Sequence, residues 1–167
     1  MKRLGFFSFL VASILMISGC AYHPGAPKLQ FKSIYIRPAT NKTFVPQFQA
    51  LLTQQVAQSF LQEGNIAVVE NDEADVTLII EVGNYTRGMA ATQASDTALA
   101  KAVALGISVQ CSLIDNEKEK ALFENRTIFS DIRVLVNEDY LTSEYQSMSE
   151  LARSIALKIK NSVISTW

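Results

Sequence analysis

Residues 103–113 read Val-Ala-Leu-Gly-Ile-Ser-Val-Gln-Cys-Ser-Leu, and this stretch alternates between larger apolar and small or polar residues along its whole length. Side chains of a β-strand point to opposite faces in turn, so a period of two held this long predicts a strand. Cys111 falls on the apolar face, where a small buried hydrophobe fits. The stretch therefore predicts a sheet with one buried and one polar face.

The segments on either side continue the strand pattern. Residues 76–87 alternate and predict a long, half-buried strand. The charged run 115–120 predicts a hairpin into a further strand over about 122–129, where the alternation is mixed. Strands joined by a hairpin are antiparallel neighbours, so the sheet should be mainly antiparallel. Residues 88–100 are mostly small and polar, and we expect a mobile loop there.

Two segments carry apolar residues at helical spacing. The first predicts a helix from Thr43, whose hydroxyl can cap it, to about Glu63. The second predicts a helix that begins at a capping box opened by Ser143 or Ser147 and runs almost to Trp167. Each helix has one apolar stripe, so each can cover one face of a sheet. The stripes contain Val45, Phe48, Leu51, Leu52, Val56 and Phe60 in the first helix, and Met148, Leu151, Ile155, Ile159 and Val163 in the second.

The order of these elements predicts one α+β domain over residues 31–167. Shorter strands at 31–37 and 66–70 flank the first helix, and the long strands precede the second. Two singly striped helices can share one face of the sheet. We therefore expect a two-layer sandwich, with two helices packed on one face of a mainly antiparallel four- or five-stranded sheet.

The N-terminus has the features of an export signal. A basic start precedes an apolar run over residues 4–17 that is too short to span a bilayer comfortably. The small pair Ser18-Gly19 before Cys20 resembles the lipobox of bacterial lipoproteins, in which the cysteine is acylated and becomes the first mature residue. We predict residues 1–19 as a lipoprotein signal peptide and Cys20 as the lipidation site. The alternative is an ordinary signal peptide cut elsewhere, or an uncleaved anchor.

The segment after the cysteine predicts how the domain is attached. Residues 20–30 contain Pro24 and Pro27, a composition that favours an extended tether. Two or more acyl chains hold a protein on its membrane, at roughly 0.8 kcal/mol per buried methylene. Ala21 stands where many lipoproteins retained at the inner membrane carry aspartate. By that resemblance, the predicted location is the outer membrane.

Charge and composition argue against several classes of function. The chain has 15 Lys plus Arg and 16 Asp plus Glu, so losing Lys2 and Arg3 with the signal leaves 13 against 16, a net charge near −3. This balance does not suggest nucleic-acid binding. If Cys20 is acylated, Cys111 has no disulfide partner within the chain.

Catalytic motifs are missing from the sequence. It contains no GxSxG, HExxH, CxxC or Gly-rich phosphate loop. One histidine, His23, lies in the tether, which excludes the common His-based triads and the usual zinc sites. Acidic clusters at 72–75 and 131–139 are more simply solvated turn residues than a catalytic carboxylate pair. We therefore expect no enzyme activity, no cofactor and no metal.

Arg87 and Lys101 are the candidate binding residues, because they flank the small-residue segment 88–100. If they end neighbouring strands, they share one tip of the sheet and can bind an anionic head group. Tyr85 and Met89 would supply apolar contact beside them. The simpler alternative is scattered surface charge.

The order of parts resembles the LptE family of lipopolysaccharide-assembly lipoproteins. The residues that carry the resemblance follow the lipobox and recur along the chain: Ala21-Tyr22-His23, Ser33-Ile34-Tyr35-Ile36, Asn41-Lys42-Thr43, Ala74-Asp75-Val76, Ser112-Leu113-Ile114-Asp115 and Ala121-Leu122-Phe123-Glu124. The resemblance implies a helix-on-sheet plug inside the LptD β-barrel, which helps that barrel assemble and contacts lipopolysaccharide. It identifies no lipopolysaccharide-binding residue, so Arg87 and Lys101 are predicted from position.

A second resemblance leads to a different class of function. The segment Ile34-Tyr35-Ile36-Arg37-Pro38, the Asn-x-Thr turn at 41–43 and the strand near 66–70 also resemble periplasmic lipoproteins that activate penicillin-binding proteins or build export pores. Such an activator usually has a longer tether than residues 20–30. The short tether favours a partner within the outer membrane.

Overall fold

A computed structural model describes residues 31–70, 73–92, 100–135 and 140–166. The predicted signal peptide and tether lie outside these residues. The described chain forms six strands and two helices, in the order β1 (Ser33–Ile36), β2 (Thr40–Asn41), α1 (Phe48–Leu61), β3 (Ala67–Val69), β4 (Val76–Thr92), β5 (Ala100–Asp115), β6 (Lys120–Leu135) and α2 (Tyr140–Ile164).

The strands form one sheet in the order β3-β1-β4-β5-β6, with β2 pairing β4 beyond the end of β1. The three long strands β4, β5 and β6 are antiparallel, whereas the short pairings of β1 and β2 are parallel. In the middle of the sheet, Val109 lies opposite Val82 on one side and Ile128 on the other. The predicted α+β fold is confirmed, with six strands because Thr40–Asn41 pairs as a short strand of its own.

Both helices pack on the face of the sheet that carries the alternating apolar residues. α1 packs against β1, β2 and β3, and α2 against β5 and β6, while the two helices also contact each other. Within the described residues, neither helix is long and apolar enough to span a membrane. The fully buried centre of the core contains Ile34, Phe48, Leu52, Phe60, Leu78, Ile80, Leu105, Ile107, Leu113, Leu151, Ile155 and Ile159.

Both predicted helix starts are wrong. α1 begins at Phe48 instead of Thr43, because the Thr43 hydroxyl takes part in a local turn, where it donates to Asn41 Oδ1 and accepts from the Val45 amide at 3.3 Å. Gln47 precedes the helix in the left-handed region, at φ 59°. α2 already begins at Tyr140, and Ser147 lies within it, donating to the carbonyl of Ser143.

The long strands extend further than predicted. β4 continues to Thr92, where residues 88–92 were expected to be loop, and β5 begins at Ala100. Gly88 pairs with Ala104 there, so a partner strand holds residues that have little strand propensity of their own. Residues 93–99 of the predicted loop lie outside the described residues. β6 likewise continues to Leu135 instead of ending near residue 129.

The mixed alternation of β6 has a structural cause. Asn125 adopts a positive φ of 48°, and the pairing register shifts between Cys111 and Leu113. The Asn125 amide donates to Ser112 Oγ at this irregularity. Such a bulge reverses which side chains face the core, so one fixed period cannot describe the strand.

β6 is also the last strand of the described sheet, with β5 as its neighbour on one side. Lys158 of α2 donates to the Phe129 carbonyl oxygen at 2.9 Å. A helix side chain thus bonds a backbone group of this last strand.

Candidate functional site

One end of the domain carries a cleft of about 750 Å³ between the N-termini of α1 and α2. The topology places both helix starts there. α1 follows β1 and β2, which run parallel to β4. α2 follows β6, and β6 runs in the same direction as β4 because both strands are antiparallel to β5 between them. Both helices therefore begin at the end of the sheet where β4 passes Tyr85 and Arg87.

The walls of the cleft are mostly apolar. Phe48 is buried at its base, and Leu51, Tyr85 and Met148 are partly buried against the core. The rim carries large exposed side chains, namely Phe44, Leu141 and Tyr145, with relative exposures of 105%, 67% and 74%. Apolar side chains concentrated around a concave surface are typical of binding sites.

A hydrogen-bonded turn holds Phe44 at the rim. Asn41 Oδ1 accepts from the Thr43 amide at 2.9 Å and from its hydroxyl at 2.7 Å. Asn41 Nδ2 donates to the Val45 carbonyl at 2.8 Å and to Gln49 Oε1 at 3.2 Å. Because the residues on both sides of Phe44 are bonded to one side chain, the exposed ring is presented on a fixed turn.

The charged residues that line the described cleft are Arg87 and Glu144. Arg87 Nη1 lies 3.4 Å from Glu144 Oε2, and the Tyr85 hydroxyl donates to Glu144 Oε1 at 2.5 Å. The Glu144 side chain is 13% exposed and the Arg87 side chain 58% exposed. Arg87 is therefore the partner that remains accessible to solvent, whereas the Glu144 carboxylate is largely buried.

The two predicted binding residues lie at the same end of the sheet but are not directly paired. Arg87 is opposite Leu105, and Lys101 is four residues from Leu105 along β5, a separation of roughly 13 Å. Only the backbone of Lys101 is described. The strands continue past Arg87, so it does not end its strand as predicted. Cys20 lies outside the described residues.

Sequence reasoning missed the apolar rim and Glu144. Phe44 and Tyr145 were not assigned to either apolar stripe, and an apolar residue left outside the stripe beside a turn is a signal that could have found Phe44. Glu144 contacts Tyr85 and Arg87 across 59 and 57 residues of sequence. A contact of that sequence separation leaves no local pattern.

The sheet face turned away from the helices, here called the back face, is mostly polar along its centre, where the charged Glu81 lies opposite Gln110. Exposed or partly exposed polar residues occupy it: Asn84, Thr86, Ser108, Gln110, Ser112 and Thr127. The half-exposed Phe129 ring covers Gly106, where a Cβ atom would lie 3.0 Å from the ring and 2.6 Å from Thr86 Oγ1. This glycine therefore lets the ring lie flat on the sheet.

Solved structures share this architecture. The Xanthomonas campestris protein XCC0632 has a TM-score of 0.63 at 13% identity, over 86% of this chain and 90% of that one. A Caulobacter crescentus protein assigned as a lipoprotein has a TM-score of 0.53 at 14% identity, over 79% and 88%. The Chlamydia trachomatis protein CT253 has a TM-score of 0.55 at 10% identity, over 81% and 97%. At these identities, the similarity concerns the fold alone.

No curated protein sequence matches this chain. Residues 31–163, by contrast, match the family described as LptE, lipopolysaccharide-assembly. The match includes both helices up to Val163 and all six strands. The chain belongs to the LptE lipopolysaccharide-assembly family.

Proposed function

We propose that this chain is a lipid-anchored outer-membrane protein that plugs an LptD-type β-barrel, helps that barrel assemble, and assists lipopolysaccharide transport to the cell surface. The observation that carries the proposal is the family match over residues 31–163. The family is described by assembly and not by catalysis, so the protein acts by binding partners.

The proposed anchor is an acylated Cys20. The eleven residues from Cys20 to Gln30 span at most about 40 Å when fully extended. Phe31, the residue after this segment, is buried beside the start of β4. The domain is thereby held close to its membrane, at a distance suited to a partner that is itself embedded there.

The back face of the sheet supports a position inside a barrel. Its central hydroxyl and amide side chains, such as Ser108 and Gln110, match the polar interior of outer-membrane barrels. The face also carries charged side chains, and the one opposite Gln110, Glu81, is paired with Lys42 at 2.7 Å.

Arg87 and Lys101 are proposed to bind anionic groups of lipopolysaccharide. Arg87 is half exposed at the rim of an apolar cleft, and a guanidinium pairs well with phosphate oxygens. Lys101, on the neighbouring strand β5, adds a second positive charge toward the same end of the sheet as Arg87.

Copurification tests the barrel partnership. The full-length chain, tagged at its C-terminus, is solubilised from envelopes, and an unrelated tagged outer-membrane lipoprotein serves as the control. Stoichiometric recovery of a large LptD-type β-barrel is expected with this chain and not with the control lipoprotein. Recovery of a cell-wall synthase in its place contradicts the proposal.

Cys20→Ala should shift the protein out of the outer-membrane fraction, and unchanged fractionation contradicts the anchor.

Charge reversal tests the proposed binding residues. Arg87→Glu and Lys101→Glu should each reduce lipopolysaccharide recovered with the full-length chain several-fold, because the anion then meets a like charge. Arg153→Glu, on the exposed surface of α2, is the matched control and should retain binding. Equal recovery from all three variants rules out this assignment.

A further inference from the structure

The cleft between the helix starts has the size and chemistry of a small-ligand site. Its volume of about 750 Å³ falls within the range of 300–1,000 Å³ that is typical of such sites. Apolar side chains form most of its walls, and three large exposed ones stand at its rim. Exposure of an apolar surface of this kind to water is unfavourable, so a ligand that covers it gains free energy.

The charges of the cleft indicate what kind of occupant fits. Arg87 and Glu144 compensate each other at one side, so the part of a ligand that enters should carry no charge of its own. The mouth still favours an anion. α1 begins here with no acidic residue in its first turn, and no described side chain caps it. The positive end of the α1 dipole therefore adds to the exposed guanidinium.

We infer that this cleft binds one acyl chain of lipopolysaccharide, with a phosphate of the same molecule at Arg87. An apolar tail joined to an anionic head matches the apolar walls and the positive mouth together. The inference rests on the proposed function, because that function supplies the lipid. The proposed function already gives two basic residues for the anionic groups, and this inference adds the cleft as the site that binds the hydrocarbon chain.

Photo-crosslinking in intact cells tests this assignment on the full-length protein. The photoreactive residue p-benzoyl-phenylalanine replaces Tyr145 at the rim, and in a control it replaces Gln58, an exposed residue further along α1 that does not line the cleft. A lipopolysaccharide adduct at position 145 and none at position 58 is the expected result. Adducts at position 145 with protein alone, with phospholipid alone, or with nothing overturn the inference.

A rim variant checks that the apolar wall is responsible. With the probe at position 145, Leu141→Asp should lower the lipopolysaccharide adduct about tenfold, because it removes apolar contact and adds a charge beside the chain. Leu141→Met keeps the apolar volume and should retain the adduct. Leu141 is largely exposed, so both variants should fold, which circular dichroism verifies. Equal adduct yields from the two variants overturn the inference.

These outcomes are separable from the barrel partnership. If the wild-type chain recovers the barrel but the chain with the probe at position 145 gives no lipopolysaccharide adduct, the cleft assignment fails and the proposed function stands. If the wild-type chain recovers no barrel, the proposed function fails whatever the cleft binds.

Discussion

The guanidinium carbon of Arg126 lies 4.0 Å from the centroid of the Phe123 ring. The same guanidinium donates from Nη1 to the Ser162 carbonyl oxygen at 2.9 Å and to Thr166 Oγ1 at 3.1 Å. Arg126 of β6 therefore stacks on an aromatic ring of the same strand and also bonds the last turns of α2. A cation at that end of the helix complements the helix dipole.

Arg126→Lys should lower the free energy of unfolding by about 1–3 kcal/mol, because an ammonium cannot stack and donate in the same planar arrangement. Urea unfolding followed by circular dichroism measures the loss. Arg133→Lys, at an exposed position of the same strand, is the control and should change stability by less than about 0.5 kcal/mol. Equal effects would show that the bonds of Arg126 contribute nothing specific.

Gly106→Ala should destabilise the domain by about 1–3 kcal/mol, because the new Cβ meets Thr86 Oγ1 at 2.6 Å and the Phe129 ring at 3.0 Å. The penalty should shrink when Thr86 and Phe129 are first replaced by alanine. A double-mutant cycle on thermal unfolding gives the coupling. A penalty that is the same in both backgrounds assigns the cost to the backbone and contradicts the steric explanation.

Asn41→Ala should release the turn that carries Phe44 and cost about 1–2 kcal/mol of stability. Amide hydrogen exchange of residues 42–49 should accelerate. Asn41→Asp keeps the oxygen that accepts from Thr43 but loses the donor to Val45, so its exchange rates should be intermediate. Unchanged exchange in Asn41→Ala would mean that Pro46 and the start of α1 fix the turn without this side chain.

Asp75 should make the domain less stable in acid. Its Oδ2 accepts from the Lys32 amide at 2.6 Å and from the Ser33 amide at 3.0 Å. The Lys32 bond is the largest cause that lowers the pKa of this carboxyl from its usual 3.8, against a smaller opposing effect of burial. A lowered folded-state pKa contributes stability that is present above the unfolded value and is lost as pH falls through the folded value.

Asp75→Asn should therefore lose less unfolding free energy than the wild type as the pH falls below about 4. Chemical unfolding at a series of pH values provides the measurement. If the variant and the wild type lose stability in parallel, the carboxylate is not linked to folding.

Cys111 should resist alkylation in the folded protein. Burial raises the pKa of its thiol to about 12, although Arg126 acts in the opposite direction. The reactive thiolate is then scarce and inaccessible at neutral pH. Iodoacetamide labelling, quantified on the Cys111 peptide by mass spectrometry, should be slow in buffer and fast in urea. Rapid labelling in buffer would contradict the burial of this side chain.

The sheet was predictable from sequence where burial is one-sided. Residues 103–113 face the helices with every second side chain, and all six of the larger apolar members are buried in the structure. Burial on one face imposes the period of two, so the pattern and the fold have the same cause. The helix stripes were predictable for the same reason.

Features that depend on distant partners were not predictable. Gly88 has no intrinsic preference for a strand, and its place in β4 depends on pairing with Ala104. Arg87 lies within β4 instead of ending it, and its partner Glu144 comes from a helix far along the chain. The apolar cleft requires two helix starts to meet, which no local window of sequence contains.

The position of β6 at the border of the described sheet affects whether separate copies of the chain aggregate. A border strand offers backbone groups to any other strand, so chains that have not yet reached their partners can pair through it. Lys158 occupies the Phe129 carbonyl, and the strand itself carries Glu124, Arg126, Asp131 and Arg133, which disfavour pairing with a second chain. The charged side chains around this border thus act as protection against aggregation before the chain binds its partners.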